Sequence, residues 1–306
     1  MIKVFYPYRA AGSTWDELRY SFRSLEKHLK TDFEIYLVGD CPDWVRTDYA
    51  DFNGLRGKRS KFQVSSSKLP SGVGKDNKEL KDFKGAGLVH VPYVHDDRLG
   101  ALGNTNRMLD VFMTEANKEI KEFKDIEDGM PKQVRHEADL FIRMWDDVYL
   151  IGDRTVDDLM VTRIVRPANE VKTMVSGGDV WRRQVLSTVY ELQELGYPGY
   201  MTESHCPEVF SMRNMELIYR MFELPKQALL TSTLYYNVFP YERELIDKKT
   251  ERALFYGAEN EFSYRSANVT QKCAGKYFLN HNDTGLNEEV IAFLMQEFPE
   301  KSRFEK

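Results

Sequence analysis

The chain has 306 residues, of which 42% are hydrophobic, 30% charged and 13% aromatic, and it carries a net charge of −5. That is enough apolar chain for one large or two modest domains with full cores, so neither disulfides nor metal are needed for bulk stability, and the composition argues against extensive disorder. The overall charge offers polyanions no general attraction, and the longest apolar runs, such as Phe33 to Gly39 and Leu88 to Val94, are strand-sized and far short of a bilayer span.

Met1-Ile2-Lys3-Val4-Phe5-Tyr6 runs straight into a strand pattern, without the charged region, apolar stretch and small-residue cleavage site of a secretory signal. A cytoplasmic protein is therefore expected. Residues 2–6 read as a strand and Pro7 to Thr14 as turn-rich. A helix is expected from near Thr14, because Leu18, Phe22, Leu25 and Leu29 fall on one helical stripe and Thr14 with Glu17 has capping-box spacing. Phe33 to Val38 reads as the second strand, ending at Gly39-Asp40-Cys41-Pro42. The β-α-β order predicts parallel pairing with a right-handed crossover.

Between Gly54 and Gly87, nine Lys or Arg face three acids, giving that segment +6 and leaving −11 for the rest. With Ser65-Ser66-Ser67 and Pro70-Ser71-Gly72 and little apolar periodicity, residues 54–87 read as a basic mobile insertion. It is either a solvated loop or a segment that tracks a phosphate backbone. Leu88 to Pro92 resumes the sheet, and Leu109, Phe112, Met113, Ala116 and Ile120 mark another helical stripe.

Asp139-Leu140-Phe141-Ile142-Arg143-Met144-Trp145-Asp146-Asp147 then places two adjacent carboxylates at the end of an apolar run. Ligands of parallel sheets bind beyond the carboxyl ends of strands, and two carboxylates so close remain charged most easily beside a cation. A solvated Asp-Asp turn is the plain alternative. Further helices are expected at 180–195, closed by Gly196, around Met215 to Phe222, and near Glu288 to Glu297, with a short strand at 277–279. The chain reads as a single domain, 1–306, with residues 180–306 as its C-terminal subregion.

Several other residues carry candidate chemistry. Pro7-Tyr8-Arg9 leaves the first strand where a base could stack, or packs as a turn. Asp40 reads equally as an acceptor from a ribose hydroxyl and as an Asx turn. Arg19 and Arg23 could reach phosphate with their forked donors or pair with Glu17 or Glu26 on the helix surface. His205 and His281 sit in polar, loop-like contexts, where either could ligate a cation beside Asp146 and Asp147 or act as acid or base. Cys41, Cys206 and Cys273 make no metal motif, and their odd number argues against a disulfide framework. Glycine-rich dinucleotide and phosphate loops, a nucleophile elbow and a zinc-protease helix are all absent from the sequence, which weighs against dehydrogenase, NTPase, serine hydrolase and metalloprotease functions.

Asp16 to His28, followed by Phe33 to Asp40 and by Pro42-Asp43-Trp44, resembles the second conserved block of the Stealth proteins, which are nucleotide-sugar-dependent sugar-1-phosphate transferases. Phe141 to Val148 resembles their third block and His205-Cys206-Pro207 their fourth, in matching order. Tyr6-Pro7-Tyr8-Arg9, His90-Val91-Pro92 before Asp97, and Phe298 to Glu305 are similar to a compact group of glycosyltransferase-like proteins found in bacteriophages and prophages. The resemblance implies an α/β, GT-A-like nucleotide-diphospho-sugar transferase fold with a mainly parallel central sheet flanked by helices, a single catalytic domain over 1–306 with 180–306 on its acceptor side, working in a bacterial or phage-infected cell.

By motif match it puts metal and diphosphate on Asp146 and Asp147, phosphate near Arg19, and His205 in the active site. The expected machinery is then Asp147, His205 and Arg19 for catalysis. Pro7, Tyr8, Arg9, Asp40, Arg19, Trp145 and Asp146 would bind the nucleotide sugar, foremost a UDP-sugar. Asp146, Asp147 and His281 would bind Mn2+ or Mg2+. The chain departs from the family in two places: Tyr-Pro-Tyr-Arg stands where the first block has Trp-Val-Asp-Gly, and Trp145 replaces an Asn. The expected activity is glycosyl transfer to a glycan or other hydroxyl. The alternatives are sugar-1-phosphate transfer, glycosylation of hydroxymethylated bases in phage DNA through residues 54–87, and sugar-nucleotide binding without catalysis.

Overall fold

The computed structural model describes residues 1–11, 15–46, 87–124, 139–167, 170–171, 180–224, 226–246, 251–255 and 268–306. The basic insertion lies outside the described residues, apart from Gly87. Among the described residues no helix is long and apolar enough to cross a membrane.

The molecule is built on a five-stranded sheet. In chain order it uses β1 (Ile2–Tyr8), β2 (Phe33–Gly39), β3 (Leu88–Pro92), β4 (Leu140–Arg143) and β7 (Glu208–Ser211), arranged β3-β2-β1-β4-β7. The first four are parallel, and β7 closes the edge antiparallel to β4. Three strands form a second sheet, β5 (Val148–Leu150), β10 (Phe278–His281) and β9 (Arg252–Phe255), and β6 (Thr162–Ile164) pairs with β8 (Glu244–Ile246). The helices are α1 (Glu17–His28), α2 (Gly100–Lys124), α3 (Val156–Leu159), α4 (Val180–Glu194), α5 (Met212–Met221), α6 (Thr231–Val238), α7 (Val269–Cys273) and α8 (Glu288–Glu297). The expected mainly parallel central sheet flanked by helices is what the chain forms.

Both faces of this sheet are buried, as crossover helices on both sides require. Leu18, Phe22 and Leu25 of α1, with Leu29 just beyond its end, pack with Val4, Tyr6, Ile35 and Leu37. On the opposite face Leu109, Phe112, Met113 and Ala116 of α2 pack with Phe5, Tyr36, Val38 and Phe141. Chain direction along the sheet therefore reverses at β1: β2 and β3 build outward on one side, then β4 is laid down on the other.

Three local expectations change. β1 continues through Pro7 and Tyr8, paired with Val38 and Gly39, where a turn was expected. Proline is tolerated there because of where its missing N–H would point. Met144 N–H donates to the Phe5 carbonyl at 2.9 Å, so Phe5 faces β4, and Pro7, two residues on, faces the gap left as β4 departs. α1 begins at Glu17 with Asp16 as N-cap, whose side chain makes no capping hydrogen bond; Thr14 of the expected capping box lies outside the described residues. β10 runs to His281, so Asn280 and His281 belong to a buried strand between β5 and β9 and not to a loop.

Candidate active site

β1 is followed by α1 on one face of the sheet, its neighbour β4 is preceded by α2 on the other, and the crevice outside the carboxyl ends of two such strands is where open α/β sheets bind ligands. Tyr8 ends β1 at that crevice and Arg9 leaves it, while Trp145, Asp146 and Asp147 follow β4. Because β7 runs antiparallel to β4 with Arg143 opposite Glu208, the segment before Glu208 reaches the same edge and brings His205 with it. Asp40 and Asp97 follow β2 and β3 there. Gly39, with φ 120°, is required at this rim: a Cβ would sit 2.0 Å from the Tyr8 carbonyl oxygen.

The turn that carries the acidic pair is fastened from below by Ser21 of α1. The Tyr6 hydroxyl lies 3.0 Å from Ser21 Oγ. Ser21 Oγ in turn has the Val148 carbonyl at 2.7 Å and the Trp145 carbonyl at 3.2 Å within reach of its single proton. Asp146 and Asp147 are partly exposed. Burial, followed by the charge of Glu17, pushes Asp146 up to about 6. Burial, followed by the charge of Asp146, pushes Asp147 up to about 8, with Glu17 and Asp283 adding to the rise. Glu17 is itself buried. The crevice floor thus gathers acidic groups whose burial and mutual repulsion hold both carboxyls above their ordinary range.

Among the described residues no group of three or more His, Cys, Asp or Glu side chains is arranged to hold a metal. The donor set is the adjacent carboxylate pair, which suits a hard cation that keeps water and takes its remaining ligands from substrate phosphate. The raised carboxyls fit that group, since a divalent charge offsets what their burial and mutual repulsion cost. Asn280, opposite Val148 in the β5–β10 pairing, is fully buried with neither amide atom hydrogen-bonded.

The other expected site residues are placed as follows. Arg9 is half-exposed and lies 3.4 Å from exposed Asp97, while Asp40 accepts from the Ala10 N–H at 2.7 Å, tying the ends of β1 and β2 together. Pro7 and Tyr8 are buried in β1. Trp145 is partly buried, with the Arg143 guanidinium 4.8 Å from its ring. Arg19 donates to Asp16 at 2.6 Å, reaches Glu305 at 3.4 Å and stacks over Trp44 at 4.8 Å. Its partners are therefore Asp16 and the C-terminal segment, where Glu17 or Glu26 had been expected.

His281 has its Nε2 2.9 Å from the Tyr149 hydroxyl and its Nδ1 3.3 Å from the Asn282 carbonyl, and burial takes it down to about 4. His205 adopts a left-handed backbone, φ 48°, uncommon for a residue with a side chain. Burial, then Arg252 and Arg143, lower it to about 4, so it is neutral at physiological pH. Glu17, Ser21, Asn280 and the Arg143–Glu208 pair were not singled out from the sequence. Only Glu17 left a trace there, as a helix-start residue.

No family model matches the sequence, and no curated protein does. Among solved structures the chain is similar to the apo form of the bifunctional glycosyltransferase WbbM, at 10% identity and a TM-score of 0.47, covering 98% of this chain and 50% of that one. It is similar to the galactosyltransferase LgtC in complex with donor and acceptor sugar analogues, at 8% identity and a TM-score of 0.43, covering 99% and 98% of the two chains. The apo form of the glycosyltransferase GlyE from Streptococcus pneumoniae TIGR4 shows 10% identity and a TM-score of 0.36, with 98% and 60% covered. The chain spans half the length of the WbbM chain. At identities and TM-scores this low, the likenesses carry no argument about donor, acceptor or mechanism.

Proposed function

We propose that this chain is a nucleotide-sugar-dependent glycosyltransferase of the GT-A type, with the donor diphosphate lying over Asp146 and Asp147 in the crevice between β1 and β4. The observation that carries the reading is the coincidence of two adjacent carboxyls, raised by burial and mutual repulsion, with the point where the order of the strands reverses. A divalent cation, Mg2+ or Mn2+, held by Asp146 and Asp147 would supply the charge that stabilises the leaving diphosphate.

The chain's own residues divide the remaining work. Arg9 is free to exchange its weak, exposed Asp97 contact for donor phosphate. Tyr8 and Asp40 border the nucleoside side of the crevice and Trp145 the sugar side. His205, neutral at pH 7, accepts a hydrogen bond from an acceptor hydroxyl and orients it. Glu17, whose charge reaches Asp146 and Asp147 from α1, adds a third carboxyl to the acidic floor on which a cation would sit. Arg19, bound by Asp16 and Glu305, fastens α1 to the C-terminal segment.

The test is slow donor hydrolysis over a panel of UDP-, GDP-, CMP- and dTDP-sugars with Mn2+. Turnover of one donor that disappears in folded Asp147→Asn supports the reading; no turnover of any donor, or turnover unchanged in the variant, contradicts it. The mass of the product on an acceptor then identifies the bond that breaks. A product that keeps the β-phosphate means sugar-1-phosphate transfer.

A further inference from the structure

Behind His205 lies a buried polar cluster that the proposed reaction does not use directly. Arg143, 2% exposed, directs its guanidinium to three groups at once. It donates through Nε and Nη2 to one oxygen of Glu208, at 2.9 and 2.5 Å, it donates to the Ser232 hydroxyl, and its Nη2 lies 3.5 Å from Glu203 Oε2. The other Glu203 oxygen accepts from the Thr233 N–H at 3.2 Å, in the first turn of α6, a helix with no side-chain cap of its own. Around it, Thr202 N–H donates to Thr233 Oγ1 at 3.2 Å, and Arg252 donates to the Ser204 carbonyl. Residues 202–204 are thus fixed on α6 and β9, Glu208 is fixed on β4, and the left-handed His205 is the turn between them.

We propose that Glu203 is a positioning residue: bridging the Arg143 guanidinium and the first turn of α6, it sets the His205 turn, and whether it carries a proton sets how that turn is held. As a role in catalysis, the proposal rests on the glycosyltransferase reading.

The groups facing Glu203 are Arg143 from β4, Glu208 from β7 and the N–H and hydroxyl groups of α6, with Tyr236 further along that helix and Arg252 of β9 acting on His205. Burial outweighs the attraction of Arg143, and with the repulsion of Glu208 it raises the Glu203 carboxyl to about 7. Two carboxylates on one buried guanidinium cannot both be charged without cost, so the cluster holds a proton near neutral pH. Below that range Arg143 serves Glu208 alone. Above it the guanidinium is drawn between two anions, and Glu203 grips α6 as a charged cap.

The test is an NMR titration of the His205 ring, with the signal assigned by its loss in His205→Gln. The ring itself is already neutral above about pH 5, so a neighbour's ionisation must cause any movement near neutrality. The expected result is an inflection between about pH 6 and pH 8 in the wild type that is absent in folded Glu203→Gln. Should that variant not fold, Glu203→Asp, which keeps the charge but shortens the reach to α6, must shift the inflection. No inflection in the wild type, or one unchanged in the variant that folds, overturns the proposal.

This readout needs no turnover, so its failure is separable from failure of the transferase reading. With an active donor, Glu203→Gln is expected to lower kcat about tenfold with donor KM nearly constant, as a misplaced orienting group does. An unchanged kcat removes the catalytic role.

Discussion

Asp147 is held far above its ordinary carboxylate range, and that makes it a measurable liability. Its folded-state value of about 8, and that of about 6 for Asp146, lie above the ordinary 3.8, so the folded protein binds these protons more tightly than the unfolded chain does. The stability linked to them is complete below about pH 3.8 and is lost as pH rises through about 6 and then 8. In chelator, the wild type should therefore melt lower at about pH 8 than at about pH 5.5, and Asp147→Asn should recover on the order of 1 kcal/mol at the higher pH. Thermal melts at the two pH values check this; a variant less stable than wild type at the higher pH contradicts the strain assigned to the site. Ser21 gives a second residue-scale prediction. Ser21→Ala leaves the Tyr6 hydroxyl and the Val148 carbonyl without this partner in a buried place, so stability should fall by about 1–3 kcal/mol. Because Ser21 also pins the acidic turn, turnover should fall with it, measured as kcat in a still-folded variant.

At the scale of elements, α1 carries the site on one side and fastens the chain's C-terminal segment on the other. Arg23 grips Glu305 with two nitrogens at 2.7 and 2.8 Å and donates to the Phe298 carbonyl, while Arg303 pairs with Glu26 and Phe304 is fully buried against Phe22 and Phe33. Arg23→Ala should cost about 1.5–3 kcal/mol, since buried Glu305 loses its two-nitrogen partner and keeps the longer Arg19 contact and the Ser302 donors, and Phe304→Ala about 3–5 kcal/mol through the cavity it leaves. Chemical denaturation of the two variants reads both.

This element also shows what local sequence could reveal. The apolar stripe of α1, the β2 run and the α8 boundaries were legible because periodicity over seven or more residues outweighs local noise. β7 and β9 were not: four-residue strands gain their stability from partners distant in sequence. Arg19 looked like a phosphate ligand because Glu305, which shares it, lies at the far end of the chain, and Glu17 looked like an ordinary helix-start acid until the fold set it beside Asp146.

For the whole molecule, the placement of chemistry follows from the order of the strands. Laying β4 beside β1 after β2 and β3 opens the crevice, Pro7 ends hydrogen bonding on the β4 side, and antiparallel β7 returns His205 to the same edge. The acidic run was legible because a buried strand ending in two carboxylates is unusual whatever follows. Its partners were not legible, because they are brought together by sheet order alone. The most direct measurement is calorimetric titration of nucleoside diphosphates, UDP first, into the full chain at neutral pH, with Mn2+ and with chelator, in wild type and in Asp147→Asn. The expected result is binding that requires Mn2+ and is lost in the variant. Equal affinity with and without the cation, or binding untouched by Asp147→Asn, would contradict the assignment of the donor diphosphate to the acidic pair.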